Sequence, residues 1–111
     1  MRLRCRRRNS ETKVLGTLGS FALYQNEPNP FRGETSIRFA AAAPGRVQVR
    51  VFNARGQLVR TVADGWFPAG PSVVPWDGRD DRGRATPSGI YYALAVGKNG
   101  VRDRVKMLRV R

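Results

Sequence analysis

Apolar and polar side chains alternate in several short segments of this chain. The pattern is clearest in segments 35–41 and 47–52, where apolar residues fall on every second position. Because the side chains of a strand point alternately to its two faces, this period of two indicates half-buried strands. Further strand-like segments follow at 58–62, 71–76, 90–96 and 101–110, after a short apolar start at 21–24.

Turn-forming residues separate these segments at close spacing. Pro44-Gly45, the NARG sequence that ends at Gly56, and Asn99-Gly100 are typical of tight turns between antiparallel strands. No stretch of ten or more residues shows the helical period. We therefore predict an all-β fold, a small antiparallel Ig-like β-sandwich of about seven strands.

Segment 90–96 differs from the others because it is apolar on both faces. Ile90, Tyr92 and Leu94 lie on one face, and Tyr91 and Ala93 lie on the other. Strands of this kind are usually buried on both sides. We expect this strand to be central in its sheet and covered on both faces.

The segment Gln25–Phe31, with the sequence QNEPNPF, precedes the first clearly alternating strand. Pro28 and Pro30 fix their own φ angles and restrict the residues before them. We expect Asn29 to bond to its own neighbouring backbone and Phe31 to close one end of the core. This proline segment is therefore predicted to be a stiff connection into the sandwich.

The charge is strongly basic and unevenly distributed. The chain has 111 residues and a net charge of +13, and residues 1–16 contain six cations and one acid. We predict a disordered basic tail or linker remnant over 1–20 and one folded module over 21–111, and we expect the reading frame to begin inside a linker of a longer polypeptide. The later arginines stand singly between apolar residues, which is typical of outward strand faces rather than of a nucleic-acid site.

Several kinds of chemistry are disfavoured by composition. The chain has no histidine, so the commonest general base and transition-metal ligand is missing. Cys5 is the single cysteine, which excludes an internal disulfide. No Ser-His or Cys-His arrangement and no phosphate-binding loop is present, so we predict no enzymatic activity and no cofactor. No apolar run reaches the roughly 18 residues of a membrane span.

Three aspartates form the one cluster that offers oxygen ligands for Ca²⁺. Asp77, Asp80 and Asp81 lie within the sequence WDGRDDRG. Their spacing differs from that of a calcium loop, and interleaved arginines would neutralise such a site. We favour a pair of tight turns in which the aspartates accept backbone N–H groups and in which Gly78 and Gly83 are left-handed. No metal is expected.

The aromatic side chains allow two interpretations. Trp66, Trp76, Tyr91 and Tyr92 could form a platform on which carbohydrate or nucleic acid stacks. In a domain of this size, aromatic residues at strand ends more often belong to the core. We expect Trp76, directly before Asp77, to pack across the sandwich.

The final segment carries a regular series of cations. They are Arg102, Arg104, Lys106, Arg109 and Arg111. Charge on an edge strand protects against edge-to-edge aggregation. The same residues could form a recognition strip, read by a receptor through basic side chains and strand addition. The two interpretations are compatible.

Several motifs, in this order, resemble the Ig-like domain of the flagellar hook-capping protein and the type A C-terminal sorting domain of type IX secretion. The motifs are LYQNEPNPF (23–31), TSIRF (35–39), VQVRVFNARGQLVRTV (47–62), WDGRDDRG (76–83), SGIYYAL (88–94) and KMLRVR (106–111). Arg32 and Phe52-Asn53 depart from the usual pattern. The motif positions are Asn29, Pro30, Phe31, Gly56, Trp76, Asp77, Gly78, Asp80, Gly83, Gly89 and Tyr91.

The resemblance implies a non-enzymatic module of an exported bacterial protein, secreted or at the cell surface. It would serve as a sorting or anchoring signal, read by the secretion machinery or by neighbouring domains. The recognition residues would then be Lys106, Met107, Leu108, Arg109, Val110 and Arg111. The alternative is a structural module for protein–protein contacts, like that of the hook cap. A carbohydrate- or nucleic-acid-binding domain is a third interpretation.

Overall fold

Residues 21–111 are described in a computed structural model and form an all-β fold, as predicted. The predicted tail over 1–20, with Cys5, lies outside the described residues. The described part has seven strands and one short 3-10 turn at Lys98–Gly100. The strands are β1 (Phe21–Leu23), β2 (Thr35–Ala41), β3 (Gly45–Asn53), β4 (Leu58–Phe67), β5 (Gly70–Trp76), β6 (Gly89–Val96) and β7 (Arg102–Arg109).

Two antiparallel sheets stack on each other to make the sandwich. One has three strands in the order β1-β2-β5, and the other has four in the order β4-β3-β6-β7. The alternating positions supply the buried layer between them, with Ile37, Phe39, Val49, Val51 and Ala93 fully buried. The predicted two-layer architecture is therefore confirmed.

Aromatic rings fill both ends of the core. At one end Phe39 contacts Phe21 and Phe67, with ring centroids 5.6 and 5.1 Å apart. At the other end Trp76 lies between Phe31 and Tyr91, at 5.4 and 5.6 Å. Burial of such rings removes large apolar areas from water and dominates the stability of a small core.

Two turn predictions are confirmed in detail. Gly56 has a φ of 82°, and the Asn53 side chain accepts the backbone N–H groups of Arg55 and Gln57. Asn99 and Gly100 have φ angles of 62° and 77° between β6 and β7, the left-handed conformation that a tight hairpin requires.

Two strand predictions need correction. The strand predicted over 58–62 continues to Phe67. The register of β3 with β4 shifts after Val49 and again after Val51, so strict alternation is lost there although pairing continues. Strand β6 is central, as expected, but its outer face is not covered by a further layer of the described residues, and Ile90 is 39% exposed.

Candidate recognition surface

The proline segment lies along the outer edge of β7. The backbone N–H of Phe31 donates to the Leu108 carbonyl at 3.0 Å, and the Val110 N–H donates to the Phe31 carbonyl at 2.8 Å. The Asn29 side-chain oxygen accepts the Leu108 N–H at 2.9 Å. Asn29 therefore bonds to a distant strand rather than to its own neighbouring backbone, which corrects the prediction.

Further contacts extend this cover along the same edge. The Gln25 side-chain amide donates to the Lys106 carbonyl at 2.8 Å, and the Leu23 backbone N–H donates to the Asp103 carboxylate at 2.9 Å. Backbone groups that are bonded in this way are not available to an added strand. Strand addition along Lys106–Arg111, one part of the sequence-based hypothesis, would therefore have to displace the proline segment from the Lys106, Leu108 and Val110 backbone.

Two buried polar residues hold the proline segment in shape. Asn26 and Thr35 are each 1% exposed. The Asn26 amide donates to the Thr35 hydroxyl at 2.9 Å and to the Pro28 carbonyl at 3.1 Å, and the Thr35 hydroxyl donates to that same carbonyl. Neither residue was predicted to have this role. The one available signal was Thr35, which shares the inward face of β2 with Ile37.

The final strand presents only part of the predicted strip to solvent. Lys106, Leu108 and Arg111 are exposed, Val110 is half-buried, and Met107 is completely buried. Because the side chains of β7 alternate between its two faces, neighbouring residues of the strip cannot all face a receptor.

Arg109 is the largest departure from the predicted strip. Its side chain was expected to face solvent, but the residue is only 6% exposed. Its guanidinium donates to the Thr86 carbonyl at 3.0 Å and to the Arg32 carbonyl, and it lies 5.5 Å above the ring of Phe31. These partners satisfy the buried charge with carbonyl dipoles and a ring face, so this cation stabilises the fold.

The aromatic residues divide between core and surface. Trp76 is 1% and Tyr91 4% exposed; the Trp76 indole donates to the Arg79 carbonyl and the Tyr91 hydroxyl to the Pro87 carbonyl. The core interpretation is confirmed for both, and a stacking platform is wrong for them. Trp66 is 69% exposed, and Tyr92 is half-buried on the outer face of the four-stranded sheet.

The loop after Trp76 consists of the predicted tight turns. The Asp77 carboxylate accepts the Arg79 N–H, and one oxygen of Asp80 accepts the N–H groups of Arg82 and Arg84. Gly78 and Gly83 have φ angles of 76° and 81°. Bonding to the backbone N–H groups of Arg84 and then of Arg82 lowers the pKa of Asp80.

Asp81 ties this loop to β4 instead of joining the other aspartates. Its carboxylate accepts the Thr61 N–H at 3.2 Å, and its own N–H donates to the Val59 carbonyl at 3.0 Å. Among residues 21–111, no three acidic, histidine or cysteine side chains are grouped so that they could hold a metal ion. The loop therefore functions as a structural corner that also covers the first part of the β4 edge.

Residues 26–100 match the FlgD Ig-like domain family. The chain belongs to this family. The match spans most of the sandwich, from the proline segment through β6 and the turn that follows it. No helix in the described part of this FlgD Ig-like domain is long and apolar enough to cross a membrane.

Two solved structures from Porphyromonas gingivalis share the fold. Dimeric latent PorU matches with a TM-score of 0.67 and 20% identity, over 87% of this chain and 10% of that chain. PorZ, an essential bacterial surface component of the type-IX secretion system, matches with a TM-score of 0.56 and 20% identity, over 80% of this chain and 11% of that chain. This domain thus spans about a tenth of each structure. A comparison with curated proteins gave no match.

Proposed function

We propose that this domain is a non-enzymatic module of an exported bacterial protein and acts there as a sorting or anchoring signal. The proposal rests on one observation: the proline segment fixes the last residues of β7, while Lys106, Leu108 and Arg111 stay exposed. The likeness to PorZ, a surface component of type-IX secretion, supports a secreted or cell-surface location and the secretion machinery as partner.

The absence of catalysis is part of the same proposal. Acid–base chemistry at neutral pH needs titratable groups that are free to exchange protons with a substrate. The chain has no histidine, and the carboxylates of Asp77, Asp80 and Asp81 accept backbone N–H groups. Asp64 is paired with Arg46 through two hydrogen bonds at 2.8 and 2.9 Å. These contacts favour structural roles for the carboxylates.

Recognition of this kind requires the folded domain. Met107 and Arg109 belong to the core, so the exposed strip of Lys106, Leu108 and Arg111 exists only when β7 is paired. A receptor would therefore read Lys106 and Leu108 on one face of β7, and Arg111 beyond the strand, where its N–H donates to the Ser88 hydroxyl at 2.9 Å, rather than a linear peptide. Deletion of Lys106–Arg111 would also remove core residues, and it cannot separate loss of recognition from loss of fold.

Surface substitutions make the cleaner test. A reporter fused to the full chain is expressed in a bacterium with type IX secretion, with K106E/L108S/R111E in the test variant and R32E/R82E as the control. The two variants change the net charge equally, and Arg32 and Arg82 are exposed residues that do not belong to the strip. We expect the strip variant to lower reporter export about tenfold, as when binding weakens by about 1.4 kcal/mol.

The control variant is expected to export normally, and both variants are expected to melt at the wild-type temperature. Unchanged export of a folded strip variant would disprove a sorting role for these residues.

The family match supports one alternative, a structural module that makes protein–protein contacts as in the hook cap. The genes beside the one that encodes this chain would separate the two. Flagellar neighbours would favour the structural role, whereas a long upstream hydrolase, adhesin or repeat protein in the same frame would favour sorting.

A further inference from the structure

A groove runs across the outer face of the four-stranded sheet, from the turn between β3 and β4 to the first residues of β7. Its volume is about 780 Å³, and its floor is formed by Phe52, Tyr92 and Leu94. Phe52 lies opposite Tyr92 in the sheet register. All three side chains are half-buried, so a continuous apolar surface stays in contact with solvent at the centre of the sheet.

Cations surround this apolar floor. Arg102 and Arg104 border it on β7, and Arg55 borders it in the turn between β3 and β4. All three are exposed, and within residues 21–111 none of their guanidinium groups makes a hydrogen bond or ion pair. The guanidinium of Arg50 lies 5.9 Å above the Phe52 ring. The rim therefore carries a net positive charge, since Asp103 is the one acidic residue among the lining residues.

One acidic residue lies among the lining residues, and its carboxylate is engaged. Asp103 accepts the Leu23 N–H at one oxygen and the Arg104 N–H at the other, both at 2.9 Å. The lining therefore favours a ligand with negative charge at the rim. Apolar groups of the ligand would lie at the centre. They would bury the apolar area of the floor that is still exposed to water, which is favourable.

We propose that this groove binds an extended acidic segment of another protein. Its carboxylates would pair with Arg55, Arg102 and Arg104, and its apolar side chains would cover Tyr92 and Leu94. This site goes beyond the proposed sorting function, because its cations are Arg55, Arg102 and Arg104, whereas Lys106 of the strip lies opposite Tyr92 at the border of the groove.

Charge and shape favour this occupant over two others. Residues 1–20 of the chain carry six cations and one acid, so like charge disfavours them in the groove. A single-stranded nucleic acid would need open ring faces on which bases stack. The guanidinium of Arg50 lies over one face of the Phe52 ring, and Leu94 offers an aliphatic surface.

The binding test uses a short fluorescein-labelled peptide in which glutamates flank a Leu-Phe pair. Fluorescence anisotropy measures its affinity for the full chain, for R102E/R104E and for R32E/R82E, which has the same net charge as R102E/R104E. We expect R102E/R104E to weaken binding about tenfold, the loss for about 1.4 kcal/mol. The R32E/R82E control is expected to bind like the unchanged protein.

Two control peptides test the two halves of the site, one with lysines in place of the glutamates and one with serines in place of the Leu-Phe pair. Both are expected to bind at least about tenfold more weakly. Amide chemical-shift changes should centre on Phe52, Tyr92 and Leu94.

Several results would overturn the proposal. The first is that the peptide does not bind the unchanged chain. The second is an equal loss of affinity in R102E/R104E and R32E/R82E, and the third is amide chemical-shift changes that centre on another face. Tighter binding of heparin or single-stranded DNA than of the acidic peptide would also overturn it. So would loss of binding at moderate salt for both the acidic peptide and its serine control, because the Leu-Phe pair would then contribute nothing.

Discussion

Gly78 and Arg109 fit against each other at one end of the sandwich. A Cβ added at Gly78 would lie 2.5 Å from a guanidinium nitrogen of Arg109 and 3.0 Å from the Gly33 carbonyl oxygen. The residue also has a φ of 76°, where a side chain is strained. Glycine is therefore required here for two separate reasons, backbone conformation and space for a buried cation.

Gly83 is a matched control that separates the cost of a left-handed backbone from the cost of a clash with Arg109. Its φ of 81° is similar, but a Cβ there would meet no atom within 4 Å. We predict that G83A lowers the free energy of unfolding by about 1–2 kcal/mol, the cost of a left-handed conformation, and that G78A lowers it clearly more. Urea denaturation of both variants measures the difference. Equal losses would show that Arg109 does not need the space.

Asp80 provides a prediction about pH. Its lowered folded-state pKa means that the ionised carboxylate stabilises the turn. This contribution is present above the ordinary pKa of aspartate and is lost as pH falls through the lower folded value. We predict that D80N, which keeps an acceptor oxygen but has no charge to titrate, loses less stability than wild type between about pH 5 and pH 2. Urea midpoints across this range test it, and parallel curves for the two proteins would contradict it.

Predictions at the residue scale succeeded for the turn glycines and for Asp77 and Asp80, because the backbone N–H groups that donate to these two aspartates lie within four residues. It failed for Arg109, since an arginine in a terminal strand is usually exposed. Its burial depends on the Thr86 and Arg32 carbonyls and the Phe31 ring. No local pattern shows that these three groups meet.

At the scale of elements, hydrophobic alternation predicted the strands well where the register is regular. Strand β2 has the predicted bounds, Thr35–Ala41. Strand β4 was predicted too short, because Asp64-Gly65 is typical of a turn, whereas both residues pair with β3 in a regular register. Contacts of the proline segment with β7 could not be predicted, since the bond from Leu108 to Asn29 joins residues 79 positions apart.

Phe31 joins the proline segment to the core, and its removal should affect both. The ring is 2% exposed and contacts Trp76. We predict that F31A lowers the free energy of unfolding by about 3–5 kcal/mol, which is typical of a buried phenylalanine. The control L58A alters a residue that is 49% exposed and should change stability by less than about 0.5 kcal/mol. Urea denaturation measures both, and similar small losses would contradict the predicted packing.

At the scale of the whole molecule, the two sheets enclose a buried aromatic cluster and carry two exposed surfaces. One end contains the aromatic cluster of Phe31, Trp76 and Tyr91. The end of β7 carries the exposed strip, and the outer face of the four-stranded sheet carries the cation-rimmed groove. The sequence predicted the sandwich, but it placed the buried Met107 and Arg109 in the strip, and it did not predict the groove, because the outer face of β6 was expected to be covered.

The central claim is that the proline segment covers the edge of β7, so that a partner reads side chains rather than backbone. Amide hydrogen exchange at Leu108 and Val110 tests it most directly, because both N–H groups donate to that segment. We predict protection within about tenfold of that at the core residue Val49, as for amides that exchange only when the domain unfolds. Exchange as fast as at the exposed Arg32 would show that the edge is open and would contradict the account.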